Sequence, residues 1–302
     1  MISIQRILQV LLAALLPLAG ALHAGEPVTL MHVHGLAYTP DGKQLMIPSH
    51  HGLAIYADGR WSKAPGPAHD YMGFSATREA LYSSGHPAVG SGLTNPFGLM
   101  KSRDGGKTWQ KLGLEGESDF HVLATSYGTN AVYVINSEPN SRMVGAGIYR
   151  TLNDGMQWQP AAAKGLKSQV TTLAVHPTDA KIIAAGTLDG LYLSRDAAEG
   201  FERLVGGKRV VGTQFDLDDR HLWFSTHAGK AAGLARIELK EGAKAQEVAL
   251  PALTDDAVAY IAQNPVRRDE IAIATFRRSV FLSPDQGKTW KRIATDGTGN
   301  DG

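Results

Sequence analysis

The sequence predicts an all-β, six-bladed β-propeller behind an N-terminal signal peptide, and three observations carry that prediction. A turn motif recurs with a period of about 45 residues. Each period holds short strand-like runs in the same order. Glycine is abundant, 34 of 302 residues against 14 prolines and 7% aromatic residues, as a protein of many tight turns requires.

The N-terminus comes first. Residues 1–24 contain no acid, place Arg6 ahead of an apolar run from Ile7 to Leu18, and end in small residues at Ala21 and Ala24. This is a signal-peptide pattern, with cleavage expected after Ala24 or else after Ala21. The run is short for a membrane span and no other follows, so a periplasmic or secreted protein with no span after cleavage is expected. Lys+Arg 30 against Asp+Glu 29 offers no polycation for nucleic acid. The absence of cysteine excludes disulfides, thiolate catalysis, zinc-thiolate sites and a lipoprotein anchor.

Residues 25–302 are read as one propeller domain, with a disordered polar tail over 296–302. Its turn motif is Ser102-Arg-Asp104-Gly-Gly106-Lys-Thr108-Trp109, repeated at Ser283-Pro-Asp285-Gln-Gly287-Lys-Thr289-Trp290. Weaker copies begin at Thr151, with Asn153 in place of Asp, and at Ser194, with Asp196. Degenerate copies fit near Arg236–Gly242 and Ile55–Trp61, making six units. In blade four the strands read Val170–Val175, Ile182–Ala185 and Leu191–Leu193; blade six repeats them as Ala259–Ala262, Glu270–Ala274 and Val280–Leu282. The role of Val28–Leu30, as a closing strand or not, is left open.

Aligning the inner strands on Leu36, Phe74, Leu123, Leu173 and Ile261 compares the residues at which each begins. Blades one to three give His32 and His34, Asp70 and Met72, Asp119 and His121; blades four and six give Gln169 and Thr171, Ala257 and Ala259. Residues i and i+2 share a strand face, so each pair can point into the same channel mouth. The second strand returns to that mouth and ends at His50-His51, His86, Glu138, Asp189, His227 and Arg277 in blades one to six. Seven of 11 histidines therefore map to one end of the channel, and His69 is a candidate eighth.

The S-x-D-x-G-x-T-W repeat resembles the Asp box, or BNR repeat, of sialidases, sortilin-type receptors and photosystem assembly factors. The segments HVHGL (32–36), HHGL (50–53), DYMGF (70–74), SGHP (84–87), NPFGLMKSRDGGKTW (95–109) and DFH (119–121) are similar to a subgroup of bacterial exported Asp-box proteins of the sialidase-like, glycosyl-hydrolase-like type. The resemblance implies a propeller whose box is a hairpin between outer strands. The box marks a fold rather than a chemistry.

Three functions compete. Imidazoles and carboxylates converging from rigid strands, without thiolate, fit a transition metal, copper first and zinc second, with His32, His34, His50, His51, His86 and His121 as main ligands. Asp70 and Asp119 would ligate or orient imidazoles, and Met72 and His227 are peripheral candidates. A glycosidase would need two carboxyls about 5–5.5 Å or about 6.5–9.5 Å apart, for which Asp70, Asp119, Glu138 and Asp189 are candidates. The resemblance implies three arginines and a tyrosine nucleophile for a sialidase, and only Arg277 and Arg278 fall near the mouth, so sialidase activity is disfavoured. A carbohydrate- or protein-binding module would use the insertion 85–98 and the loop 136–147.

Overall fold

A computed structural model describes residues 28–300 apart from residue 230. The signal-peptide reading falls on residues outside this range. The described chain folds into six antiparallel sheets, one per sequence period, and among the described residues no helix is long and apolar enough to cross a membrane.

Blade one holds β1 (Ala37–Tyr38), β2 (Leu45–Ser49), β3 (Gly52–Ala57) and β4 (Arg60–Lys63). Blade two holds β5 (Asp70–Ala76), β6 (Leu81–His86), β7 (Leu99–Ser102) and β8 (Gln110–Gly113). Blade three holds β9 (Leu123–Thr125), β10 (Val132–Asn136), β11 (Gly147–Thr151) and β12 (Gln159–Pro160). Blade four holds β13 (Val170–Val175), β14 (Ile183–Thr187), β15 (Gly190–Ser194) and β16 (Glu202–Gly206). Blade five holds β17 (Val210–Phe215), β18 (His221–Ala228), β19 (Ala231–Glu238) and β20 (Gln246–Val248). Blade six holds β21 (Val258–Gln263), β22 (Ile271–Thr275), β23 (Val280–Ser283), β24 (Lys291–Thr295) and a fifth strand, β25 (Thr298–Gly299).

Each sheet runs outward from the channel in chain order, so every blade is a meander of consecutive hairpins. The alternation of the inner strands explains the core. Tyr71, Phe120, Val210 and Val258 are buried between blades, while His121, Arg209, Val211 and Ala259, next to the last three of them, line the channel. The core is accordingly a ring of inter-blade clusters, one of which joins Leu45 and Tyr56 of blade one to Ala272, Val280 and Ile293 of blade six.

The ring closes there. The indole of Trp61 donates to the Ile293 carbonyl at 2.8 Å, bridging blades one and six. Thr29 pairs antiparallel with Thr298, and Leu30 N–H donates to Gly297 O at 2.6 Å, so residues 28–30 lie along the outside of β25. The tail expected to lack order from residue 296 thus supplies β25 and a docking edge, because its backbone groups find partners in the N-terminal segment. The residues beyond 300 are outside the described range.

The four best copies of the turn motif share one bonding scheme. Ser102 Oγ donates to Asp104 Oδ1 at 2.8 Å, and Thr108 donates to the same carboxylate through N–H (2.9 Å) and Oγ1 (2.6 Å). The Ser283-Asp285-Thr289 turn repeats these bonds. In the turn at Thr151, Asn153 accepts from Thr151 and from the Gln157 N–H; in the turn at Ser194, Asp196 accepts from Ser194 and the Gly200 N–H. A short side chain that accepts backbone N–H bonds inside the loop is what fixes each turn.

Candidate functional site

The inner ends of blades one to three meet at one mouth of the channel, and glycines set how closely they approach. Gly35 forms a parallel bridge to Phe74, and a Cβ there would lie 2.6 Å from the Phe74 Cβ. Gly73 has φ +54°, and a Cβ on it would lie 2.1 Å from the Phe120 carbonyl oxygen. Each glycine directly follows a candidate ligand position, His34 or Met72, so close strand contact carries blade one's histidines against blade two, and blade two against blade three. The recurrence of glycine in HVHGL and DYMGF was the available signal for this joint.

The first Asp-centred group is His34, His50 and Asp70, whose ligand atoms all lie within 4.8 Å of one another. Asp70 begins β5 and pairs with His86 across the ladder; His50 occupies the β2–β3 turn, its N–H donating to Met31 O at 3.2 Å. His50 Nδ1 contacts Asp70 Oδ2, and His34 Nε2 lies 3.7 Å from Asp70 Oδ1. Among the described residues neither His34 Nε2 nor Asp70 Oδ1 has a hydrogen-bond partner, although both atoms are buried. Burial first, helped by the neighbouring histidines 50, 32 and 121, outweighs Asp70 and depresses the His34 pKa, favouring the neutral imidazole with a free lone pair.

His32 joins this group in a way the sequence did not indicate. The strand expected at 32–34 is absent, β1 being only two residues long, and His32 takes a left-handed φ of 65°. Its ring still lies parallel to that of His34, at 6.1 Å between centroids, and 4.4 Å from that of His50. A non-glycine residue held at positive φ within a cluster of ligand-type side chains is strain of the kind that collects at functional sites.

The second Asp-centred group is Asp119, His86 and His121. His121 Nε2 lies 2.7 Å and His86 Nε2 3.1 Å from Asp119 Oδ2, and Asn95 Oδ1 contacts His86 Nδ1 at 2.7 Å. Asp119 Oδ1 is buried without a hydrogen-bond partner among the described residues. Burial pushes the Asp119 carboxyl up, but bonds and charge from His121 and His86 prevail and hold it below the ordinary carboxylate range. Reciprocally, the hydrogen bond to Asp119 raises His121 above the ordinary imidazole value. A glycosidase acid must keep its proton near neutral pH, and Asp119 is tuned the other way.

The remaining predicted residues stand outside these two groups. His51 is exposed in the β2–β3 turn, and Met72 is buried in β5 on the face it shares with Asp70. His227 sits near the end of β18, its N–H bound to Arg209 O, and Glu138 is exposed. Asp189 accepts from Thr187 Oγ1 at 2.7 Å and Tyr192 Oη at 3.0 Å, which commits it to its own turn. His69 packs against Phe97, 4.9 Å between centroids, and accepts the Ala88 N–H: a core histidine pinning the start of the 85–98 loop.

Blade five, which the inner-strand alignment omitted, falls into register through its bulges. These lie at Val170/Thr172, Val210/Gly212 and Val258/Tyr260, which sets Arg209 level with Gln169 and Ala257. The mouth is thus divided. Blades one to three present imidazoles and carboxylates, and blades four to six present Gln169 and Thr171, Arg209 and Val211, Ala257 and Ala259.

No protein-family model and no curated protein matches this chain. Solved structures similar to it include YCF48 from Cyanidioschyzon merolae (16% identity, TM-score 0.52, 91% of this chain and 89% of that one) and a YCF48 bound to a D1 peptide (17%, 0.52, 88% and 84%). Kuenenia stuttgartiensis hydrazine synthase is similar at 14% identity and TM-score 0.55 over 87% of this chain and 80% of that one. At these identities the likeness is one of fold, and the chain is a six-bladed β-propeller with a His/His/Asp cluster able to coordinate a metal ion.

Proposed function

We propose that this protein is an exported Asp-box propeller that binds a transition metal, copper first and zinc second, at the mouth formed by blades one to three. The observation that carries the reading is the facing pair of His34 Nε2 and Asp70 Oδ1, buried, 3.7 Å apart and both without hydrogen-bond partners among the described residues, beside His50. Buried polar atoms left unmatched cost roughly 1–3 kcal/mol each, and a cation with nitrogen and oxygen ligands would satisfy both at once. In this reading His34, His50 and Asp70 are the ligands and His32 stands beside them. Asp119 with His86 and His121 forms the adjoining polar wall. The shared bonding of the four turns supports reading them as Asp boxes, with a structural role only.

The test is elemental analysis of untagged mature protein after dialysis against metal-free buffer, followed by titration with Cu(II) and Zn(II). One equivalent bound by wild type and none by His34→Ala/Asp70→Ala is expected. Stoichiometric metal retained by a folded double variant would overturn the assignment.

A second reading, capture of a protein or carbohydrate on the same face without metal, is favoured by Val89 and Val144, which stand 106% and 91% exposed on the 85–98 and 136–147 loops. Wild-type protein that takes up neither metal would move the assignment there.

A further inference from the structure

A channel of about 420 Å³ continues inward from the proposed metal site, its lining shared by all six blades. His34 and His121 line its mouth from blades one and three, and Arg209 lines it from blade five, which in a six-membered ring stands opposite blade two and its Asp70. Among the described lining residues Arg209 is the one Arg or Lys, and none is Asp or Glu. Arg209 is an exposed residue. Directly below the mouth the same register level gives Leu36, Phe74, Leu123, Leu173 and Ile261, an apolar belt interrupted in blade five by Thr213. The hydroxyls of Thr172 and Thr213 bond to each other across blades four and five, and Thr171 bonds to Gly186 O and Val210 O, so these polar groups are matched within the wall.

A site with metal-ligand chemistry on one rim, Arg209 in the lining of the other and an apolar belt beneath selects a ligand with one charged end. We propose that the channel mouth binds a small monocarboxylate, its head group held between Arg209 and the metal at His34, His50 and Asp70 and its apolar tail on the belt. The head-group half of this rests on the metal reading above. Without a cation, Asp70 and Asp119 would repel a carboxylate from the rim; a divalent ion there reverses the local field, and Arg209 adds a second attraction. The belt supplies length selectivity, because each methylene entering it improves affinity by about fourfold.

The experiment is calorimetric titration of zinc-loaded protein with acetate, butyrate and hexanoate, with 1-hexanol as the uncharged control, beside a separate zinc titration of every variant. Hexanoate is expected to bind at least tenfold more tightly than acetate, and 1-hexanol not measurably. Arg209→Gln should lose at least tenfold in hexanoate affinity with its zinc titration unchanged, and Arg209→Lys should recover part of the loss. Metal-free wild type should also lose at least tenfold. Hexanoate no tighter than acetate, or unaffected by Arg209→Gln, overturns the proposal. A protein that takes up zinc and ignores hexanoate removes the anion site alone; one that takes up no zinc but binds hexanoate through Arg209 removes the metal reading alone.

Discussion

Blades one to three and blades four to six share a register at the channel mouth but differ in how they present it. In the second half the inner strands β13, β17 and β21 are six residues each and carry their ladders up to a bulge at the same level. In the first half β1 has two residues and β9 three, so His32, His34, Asp119 and His121 lie on segments outside any strand. Only Asp70 and His86 of the two groups belong to strands, paired with each other at the end of the β5–β6 ladder, and that ladder breaks between Met72 and Ser75. Most of the polar groups that could do chemistry thus sit where the ladder has been given up or is about to end. Side chains on these short connections are free of the strict alternation of a strand and can converge, while the sheets behind them hold the geometry.

The largest expected effect tests the close joints of the first half. Gly73→Ala would place a methyl group against the Phe120 carbonyl at a positive φ, and is expected to cost about 3 kcal/mol or more. Thr172→Ala, level with Gly73 in blade four, removes the Thr213 hydroxyl contact and a methyl group packed on Gly186, and should cost about 1 kcal/mol. Urea unfolding midpoints check both, and equal losses would show that the two halves are jointed alike.

Next in size is the polar staple between blades two and three. Lys101 is only 4% exposed and donates to Asp154 at 2.9 and 2.8 Å, while Tyr82 Oη donates to the same carboxylate at 2.6 Å. Asp154→Ala leaves an ammonium and a phenol without their acceptor and should cost about 2 kcal/mol, the carboxylate's partial exposure holding it below the cost of a fully buried pair. Adding Lys101→Met should restore part of the loss. A double variant no more stable than Asp154→Ala would place the cost in the turn rather than in the stranded charge.

At the mouth itself, His50→Ala should weaken metal binding at least tenfold, whereas His227→Ala and Asp189→Asn should leave it within twofold. Titration with Zn(II) measures all three. A tenfold loss in His227→Ala would extend the ligand set into the second half and dissolve the division of the mouth.

The propeller was legible because its cause is periodic: a turn built on a short acceptor side chain recurs in blades two, three, four and six, and the strand runs between these turns alternate. The site was legible only in composition. Aligning inner strands brought His34, Asp70, Asp119 and His121 to one mouth, with His50 and His86 from the returning strands. Alignment assumed a strand at 32–34, and so missed the left-handed His32 and the use of His69 as a core residue; neither a backbone dihedral nor the burial of one ring is encoded in spacing. It passed over Arg209 because blade five has Thr213 where the other five blades carry Leu, Phe or Ile, so the anchoring pattern failed there. His51, His227, Glu138 and Asp189 reached the right end of the fold without reaching the Asp-centred groups, since sharing a strand end fixes a neighbourhood but not a direction.

The smallest effect separates the turns from the mouth by pH. Hydrogen bonds from the Thr108 hydroxyl and N–H, and from Ser102, hold the Asp104 carboxyl at about 2, and the equivalent bonds lower Asp285 and Asp196. An unfolded Asp titrates near 3.9. The folded value lies below the unfolded one, so the stabilisation is fully present above about pH 4 and is lost as pH falls toward 2. Wild type and Asp104→Ala should therefore differ by about 1 kcal/mol at pH 6, solvent screening keeping the figure small, and converge near pH 2 in chemical unfolding. Blade three has Asn153 at this position, which cannot titrate, so Asn153→Asp should add a further acid-sensitive increment without altering metal uptake at pH 7. A difference between wild type and Asp104→Ala that stayed constant down to pH 2 would mean that the carboxylate's charge does not hold the turn, and that the shape of the side chain alone does.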